Sequence, residues 1–125
     1  MHALLMKTAR IDSLESFEIN GSIQWALLRG NPQKGRVILV VPQGPGLPQI
    51  HEARVFEERL RLESEAVVVY WDQRGTGKSR RVDPATINLD QLVADTRTLI
   101  AILRTRLGVA KVDLLGFSIG ASIAA

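Results

Sequence analysis

The chain of 125 residues contains no cysteine, which excludes disulfide bonds, thiolate catalysis and sulfur-ligated metal. It also has no apolar run near the roughly 18 residues that a membrane span needs. The apolar stretch at residues 3–6 is too short for the core of a signal peptide. We therefore expect a soluble, cytoplasmic protein without a membrane partner. Because 46% of the residues are apolar, the chain can build a core, and its length fits one domain or part of one.

Positive charge exceeds negative charge by only three, and the basic residues are scattered along the chain. Nucleic-acid-binding proteins usually gather such residues on one face or in one run. The densest group, Arg74, Lys78, Arg80 and Arg81, lies in a loop that contains glycine. A solvated surface explains this pattern, and we expect no nucleic-acid partner.

The first third of the chain indicates a β-hairpin. Residues 16–20 are extended in character, and Asn20-Gly21 is a strong signal for a two-residue turn. Residues 23–29 alternate in polarity, as a half-buried antiparallel strand does. The apolar face of this strand is predicted to carry Ile23, Trp25 and Leu27.

Three apolar runs then alternate with helical patterns. Residues 37–41, 66–71 and 112–115 are rich in β-branched or large apolar side chains, which is typical of parallel strands covered on both faces. Residues 51–62 predict a helix with one exposed face. Apolar residues at spacings of three and four predict a longer helix over 89–107. The fold class is therefore α/β, a mostly parallel sheet with a leading antiparallel hairpin.

The second helix is predicted to end at Gly108, a residue type suited to a helix C-cap. Beyond the third strand, residues 118–125 predict the start of another helix.

Each predicted strand of the parallel sheet ends in an unusual loop, at residues 42–48, 72–79 and 116–120. Parallel strands bring such loops to one edge, where ligands bind in sheets of this kind. The three loops are therefore the predicted site.

Residues 116–120 have the pattern G-x-S-x-G between a strand and a helix start. A serine nucleophile needs a sharp turn with small neighbours, and Gly116 and Gly120 meet that need on either side of Ser118. The helix N-terminus behind it favours developing negative charge. The competing interpretation is an ordinary turn in which Ser118 only caps the helix.

Acyl transfer also needs two hydrogen-bond donors for the oxyanion. One is predicted to be the backbone N–H of Ile119, directly after the nucleophile. The other is predicted in the loop after the first buried strand, at Gly44, with Gln43 as the alternative. The same loop could also be a tight turn without a catalytic role.

The loop Asp72-Gln73-Arg74-Gly75-Thr76-Gly77-Lys78-Ser79 ends like a phosphate-binding loop, G-x-x-x-x-G-K-[ST], but has Asp72 where that motif begins with glycine. A carboxylate there would repel phosphate, although a nucleotide site at Lys78 and Ser79 stays an alternative. We expect a supporting role instead, with Asp72 accepting backbone N–H bonds, Gly75 shaping the turn and Arg74 tying neighbouring loops together.

Together the loops resemble the proline iminopeptidase branch of the α/β-hydrolases. The loop that begins at Asp72 is similar to that branch's signature D-Q-R-G-[ST]-G-x-S. Residues 42–46 are similar to its H-G-G-P-G loop, and residues 116–120 to its nucleophile elbow. The resemblance runs from about residue 19 to the end. It implies an α/β-hydrolase fold, a Ser-His-Asp mechanism, a short-peptide or small-molecule substrate, and no metal or other cofactor.

Two departures broaden the expected substrate. Pro42 and Gln43 stand where the family has histidine and glycine. Phe117 and Ile119 flank the serine, where the family's elbow usually has a glycine and an aromatic residue, as in G-G-S-W-G. A general esterase of the same fold is therefore an alternative to a peptidase. A non-catalytic α/β binding module that retains the elbow as scaffold is another.

The resemblance also implies an acid and a histidine after the serine. Residues 119–125 contain neither. We therefore expect residues 1–125 to be the N-terminal part of one α/β-hydrolase domain, truncated after the nucleophile elbow, with the cap domain and C-terminal part absent. Such a chain should not be an efficient hydrolase by itself. His51 is predicted to be a surface or capping residue, with a displaced base as the alternative.

Overall fold

Strands and helices alternate along the chain after an opening pair of strands. The computed structural model describes residues 10–42, 47–79 and 82–116. The described part contains strands β1 (Ile11–Ile19), β2 (Ser22–Gly30), β3 (Val37–Val41), β4 (Val67–Asp72) and β5 (Asp113–Gly116), and helices α1 (Ala53–Leu60) and α2 (Leu89–Leu107). Short 3-10 turns lie at Pro32–Lys34, Ile50–Glu52, Gly77–Ser79 and Pro84–Thr86.

The described strands form one mixed sheet in the order β1-β2-β4-β3-β5. β2 pairs antiparallel with both β1 and β4. β3 pairs parallel with both β4 and β5. The predicted α/β fold, a parallel sheet led by an antiparallel hairpin, is confirmed.

The hairpin turn is the two-residue turn that the sequence predicts. Ile19 is paired with Ser22, and Asn20 and Gly21 both have positive φ, 49° and 82°. Those angles suit asparagine and glycine and match the twist of the flanking strands. The first strand is longer than predicted, because it begins at Ile11 rather than at residue 16.

The prediction of which face of β2 is buried was wrong. Gln24, Ala26 and Leu28 are fully buried, whereas Ile23 is 56% exposed and Trp25 and Leu27 are half-buried. Apolar residues occur on both faces of this strand, so alternation alone does not show which face is covered. Helix α2 covers the face that carries Gln24.

The two helices lie on opposite faces of the sheet. Leu92, Leu99 and Leu103 of α2 pack in one core cluster with Val69 and Trp71 of β4. Val68 and Tyr70, the alternate residues of β4, pack instead with Ala53 and Phe56 of α1. Because successive strand side chains point to opposite faces, the sheet is covered on both sides at β4.

Strands β3 and β4 are completely buried, as the apolar runs predict. The bounds of β4 and β5 lie one residue later than predicted. Strand β5 is half-buried rather than buried, because it lies at an edge of the described sheet.

Helix α2 has the predicted bounds. Asn88 caps its N-terminus by accepting a bond from the backbone N–H of Gln91, and Gly108 ends it with φ 65°. Helix α1 is shorter than predicted, because its first turn is the 3-10 turn Ile50–Glu52 and because Arg61 ends it in a left-handed conformation. The predicted helix at 118–125 lies outside the described residues.

Within the described residues, no helix is long and apolar enough to cross a membrane. The same part of the chain holds no group of three or more His, Cys, Asp or Glu residues that could bind a metal ion.

Candidate active site

The carboxyl ends of three parallel strands meet at one edge of the sheet, which we call the rim. Val41 of β3 pairs with Gly116 of β5, and Val40 pairs with Tyr70 of β4. The chain therefore leaves all three strands along the same edge, where sheets of this class bind ligands. Gly116 is the last residue of β5. The other predicted residues of the two flanking loops, Gly44, Ser118, Ile119 and Gly120, lie outside the described residues and stay predictions.

Asp72, the last residue of β4, holds two rim loops together. Its carboxylate is buried, with 3% of the residue exposed. Oδ1 accepts the backbone N–H bonds of Gln49 and Ile50, both at 2.8 Å, and Oδ2 accepts that of Lys78 at 3.1 Å. Because Gln49 and Ile50 directly follow the loop that carries Gly44, Asp72 fixes the end of the predicted oxyanion loop against the loop after β4.

Four backbone N–H groups of the loop 72–79, those of Gly75, Thr76, Lys78 and Ser79, donate to acceptors within the loop itself. Gly75 donates to the carbonyl oxygen of Ser79 at 2.7 Å, and Ser79 donates to that of Thr76 at 2.6 Å. The N–H of Lys78 is bonded to Asp72, as described above. The Ser79 hydroxyl donates to the carbonyl oxygen of Asp72 at 2.6 Å. A phosphate-binding loop must offer these groups to its ligand, so the nucleotide alternative loses its support.

Two glycines make this loop possible. Gly75 has φ 78°, and a Cβ there would overlap the side chain of Ile87. Gly77 has φ 42°, and a Cβ there would collide with Oδ2 of Asp72. The loop therefore closes around the Asp72 carboxylate because Gly77 lacks a side chain, and Gly75 allows a positive φ together with the close approach of Ile87.

Arg74 anchors the other side of the same loop. Its Nε donates to Oδ2 of Asp95 at 2.9 Å, and its Nη2 to Oδ1 of Asp95 at 3.2 Å. Nη2 also donates to the carbonyl oxygens of Ile19 and Asn20, at 3.2 and 3.1 Å. One buried guanidinium thus joins the loop after β4 to helix α2 and to the turn of the first hairpin.

Asp95 lies in the second turn of α2 and is 1% exposed. Besides Arg74, the side-chain amides of Asn20, Gln24 and Gln91 donate to its carboxylate at 2.8 to 3.1 Å. Burial raises the pKa of Asp95, but the bonds from Arg74 and the three amides outweigh burial and hold that pKa below its ordinary value of 3.8. The carboxylate is therefore ionised at neutral pH.

Sequence reasoning missed Asp95 and Gln24. A signal for Asp95 was present, because it lies within the apolar stripe of α2, next to Thr96 and between Leu92 and Leu99. An acidic residue in such a stripe is almost never buried unless it is paired. Gln24 gave no comparable signal, since its burial depends on Trp71, whose Nε1 donates to Oε1 of Gln24 at 3.0 Å.

His51 is exposed, in the 3-10 turn before α1. Its Nε2 lies 3.6 Å from Oε1 of Glu52, in a contact between two largely exposed side chains. This is the surface position predicted for it.

The sequence pattern of a known family, described as serine aminopeptidase S33, matches residues 58–125, more than half of the chain. This chain belongs to the serine aminopeptidase S33 family. The matched region contains both the loop 72–79 and the G-x-S-x-G segment. The predicted relation to the proline iminopeptidase branch of the α/β-hydrolases is confirmed.

Individual relatives agree with an α/β-hydrolase fold. The chain is 29% identical to "Probable aminopeptidase YbaC" of Bacillus subtilis over 113 residues, which is 89% of this chain and 35% of that protein. The structure of a proline iminopeptidase-related protein from Thermus thermophilus is 29% identical, with a TM-score of 0.70, over 91% of this chain and 39% of the other. The epoxide hydrolase VrEH1 of Vigna radiata is 25% identical, with a TM-score of 0.66, over 90% and 33%. The chain thus spans well under half the length of each of these relatives.

Proposed function

We propose that the protein is a serine hydrolase that releases N-terminal residues from short peptides through an acyl-enzyme on Ser118. The observation that carries this proposal is the family match, because it includes both Ser118 and the loop that begins at Asp72. Two of the similar proteins are named as an aminopeptidase and as related to proline iminopeptidase. A proline-like first residue is therefore the first substrate class to test.

In the proposed reaction, Oγ of Ser118 attacks the carbonyl carbon of the scissile amide. The backbone N–H groups of Gly44 and Ile119 stabilise the resulting oxyanion. The C–N bond then breaks, and the proton taken from Ser118 passes to the leaving amine. Water hydrolyses the ester and regenerates the serine hydroxyl. The base and its acidic partner are proposed to lie beyond residue 125, so residues 1–125 alone should be inactive.

The described residues support the oxyanion role of the loop after β3. The electrostatic benefit of an oxyanion hole depends on donors that are fixed before the reaction begins. The carboxylate of Asp72 bonds to the two successive N–H groups, of Gln49 and Ile50, that follow this loop. A loop anchored in this way at its end suits the positioning of Gly44.

Epoxide hydrolysis is the second candidate, since epoxide hydrolases are among the similar structures. The chemistry of a serine nucleophile counts against it. Attack by Ser118 on an acyl carbon gives an ester, which water can cleave in the next step. Attack on an epoxide carbon would give an ether, which water does not cleave under these conditions, and the enzyme would stop after one turnover. Serine at this position therefore favours acyl transfer.

The test is a substrate panel applied to the protein expressed from its complete reading frame. The panel contains prolyl, alanyl and leucyl arylamides, the same amides with a blocked amino group, short-chain aryl esters and one aryl epoxide. Hydrolysis of free aminoacyl amides, lost in Ser118→Ala and kept in Ser64→Ala, would support the proposal. Ser64 is an exposed serine before β4 and serves as the matched control.

Other outcomes identify the alternatives. Cleavage of esters but not of any amide would replace the peptidase by a general esterase. Turnover of the epoxide alone would favour the second candidate. No turnover of any compound by a folded protein would favour a non-catalytic module that retains the elbow as scaffold.

A further inference from the structure

Beyond the residues that the family motifs contain, we infer that Asp95 is a positioning residue for the proposed oxyanion loop, acting through Arg74 and Asp72. This inference rests on the proposed function, because it assigns Asp95 to the same site. Asp95 belongs to none of the three rim loops. It lies in the second turn of α2, on the face that packs against the sheet.

Asp95 and Arg74 form a buried ion pair with two contacts. Two guanidinium nitrogens reach two carboxylate oxygens, Nε to Oδ2 and Nη2 to Oδ1. Such a forked contact fixes the orientation of the guanidinium plane as well as its position. Only 8% of Arg74 is exposed, so its guanidinium has little access to water as a replacement hydrogen-bond acceptor.

Three other side chains also donate hydrogen bonds to Asp95. Asn20 lies in the hairpin turn, Gln24 lies in β2, and Gln91 lies one helical turn earlier in α2. Gln24 in turn accepts the indole N–H of the fully buried Trp71. A buried carboxylate that accepts this many hydrogen bonds has few other arrangements.

The loop 72–79 connects Arg74 to the rim. Arg74 is separated from Asp72 by Gln73 alone, and the tight turn Gly77–Ser79 returns the chain so that the N–H of Lys78 reaches Asp72. The other carboxylate oxygen of Asp72 holds Gln49 and Ile50. The loop 72–79 is therefore fixed at one side by Asp95 and fixes the oxyanion loop at the other.

The consequence is a chain of polar contacts from the second turn of α2 to the loop that carries Gly44. If Asp95 is changed, Arg74 loses its fixed partner and the loop 72–79 can shift. Asp72 should then hold Gln49 and Ile50 less firmly. The expected effect is slower acylation of Ser118, with substrate binding less affected, because the oxyanion forms only during the reaction.

The experiment compares Asp95→Asn with Asp90→Asn in the protein expressed from its complete reading frame. Asp90 is exposed in the first turn of the same helix, so its variant controls for the loss of one charge on α2. Two quantities are measured well below the unfolding temperature. They are the rate of fluorophosphonate labelling per folded molecule and hydrogen–deuterium exchange at residues 47–52 and 72–79.

We expect Asp95→Asn to slow labelling by about tenfold to about a hundredfold, the range for a misplacement on the order of 1 Å in an active site. The value of kcat for the best substrate should fall in parallel, with KM changed less. Exchange should rise at Gln49, Ile50 and Lys78. Asp90→Asn should leave all of these unchanged.

A lower unfolding temperature with unchanged labelling and unchanged loop exchange would overturn the inference and leave Asp95 a purely structural residue. If Asp95→Asn does not fold, Gln91→Ala tests the same network more gently, because alanine suits a helix and only one donor to Asp95 is lost. Its labelling rate should fall by about twofold to about tenfold, the size of one hydrogen bond, and an unchanged rate would again overturn the inference. If the wild type is not labelled at all, the proposed function fails, and loop exchange alone decides the role of Asp95.

Discussion

Two buried carboxylates on opposite faces of the sheet show how differently the fold uses a charge. Both Asp95 and Glu63 are 1% exposed. Asp95, on the α2 face, takes its donors from a rim loop, a hairpin turn, β2 and its own helix. Glu63, which precedes β4, accepts a bond from the Tyr70 hydroxyl at 2.7 Å and lies 3.3 Å from Nε of Arg29. Arg29 is opposite Val68, near the start of β4 and away from the rim.

The difference lies in what each carboxylate connects. Glu63 bonds to side chains of two paired strands, which the sheet already holds together. Asp95 links helix α2, which lies outside the sheet, to the first hairpin and to the loop 72–79, which bears Asp72. Changes at Glu63 should therefore affect stability alone, whereas changes at Asp95 should affect stability and the proposed active site together.

The largest expected effect is that of Asp95→Leu. The change leaves Arg74 buried without its partner, and breaking a buried ion pair in this way costs about 3 to 5 kcal/mol of unfolding free energy. Glu63→Leu should cost less, about 1 to 3 kcal/mol, because it leaves mainly the Tyr70 hydroxyl unsatisfied while the partly exposed Arg29 can turn to solvent. Urea unfolding of both variants measures the difference, and equal losses would remove the contrast between the two carboxylates.

The next largest effect is expected from a pair of glycine substitutions, one in the loop that carries Asp72 and one in a turn away from the rim. Gly77→Ala and Gly35→Ala both place alanine at positive φ, which costs about 1 to 2 kcal/mol in each case. At Gly35 the added Cβ meets nothing within 4 Å, whereas at Gly77 it collides with Asp72. Gly77→Ala should therefore unfold earlier in urea and also slow fluorophosphonate labelling. If Gly35→Ala slows labelling equally, the effect does not come from Asp72.

A smaller effect is expected for Tyr70→Phe. The lost hydrogen bond to Glu63 should cost about 1 kcal/mol near neutral pH. Burial, and then the bond to Glu63, raise the pKa of Tyr70 above its usual value near 10. The folded protein thus favours the neutral phenol, and its stabilising contribution should be lost as the pH rises above about 10. The deficit of Tyr70→Phe should accordingly shrink in alkaline urea unfolding, and a deficit that stays constant with pH would contradict this cause.

The smallest expected effect is a change in how steeply the free energy of unfolding falls with pH in acid. The bonds from Arg74 and the amides outweigh burial and hold the pKa of Asp95 low in the folded state. A lowered pKa stabilises the fold above the ordinary value of about 4 and stops doing so as the pH falls through the folded-state pKa. Asp95→Asn should therefore lose stability less steeply than the wild type in acid. Parallel acid profiles for the two proteins would show that Asp95 does not titrate in this range.

Much of the fold could be predicted from short segments whose sequence pattern is compatible with only one local structure. The apolar run of β3, the spacing of α2 and the turn Asn20-Gly21 are such segments, because sterics and periodicity decide them locally. The buried face of β2 could not be predicted, since Gln24 is covered only because Trp71 and Asp95 satisfy its amide. These partners are 47 and 71 residues away along the chain.

The candidate site divides in the same way. Asp72 and Arg74 could be singled out because the loop motif contains them. For Asp95 the apolar stripe of α2 signals only a buried, paired acid, and its partners could not be predicted, because they depend on α2 packing beside that loop in the tertiary fold. Ser118, Gly44 and Ile119 stay predictions of the motif.

The most direct measurement is where a fluorophosphonate probe binds on the protein expressed from its complete reading frame. Trypsin cleaves after Lys111, and residues 112–125 contain no further Lys or Arg and two serines, Ser118 and Ser122. Mass spectrometry of the peptide that begins at Val112 should show one probe on Ser118. The label should vanish in Ser118→Ala and persist in Ser122→Ala. Absence of label from the folded wild type, or a label that persists in Ser118→Ala, would contradict the assignment of Ser118 as the nucleophile.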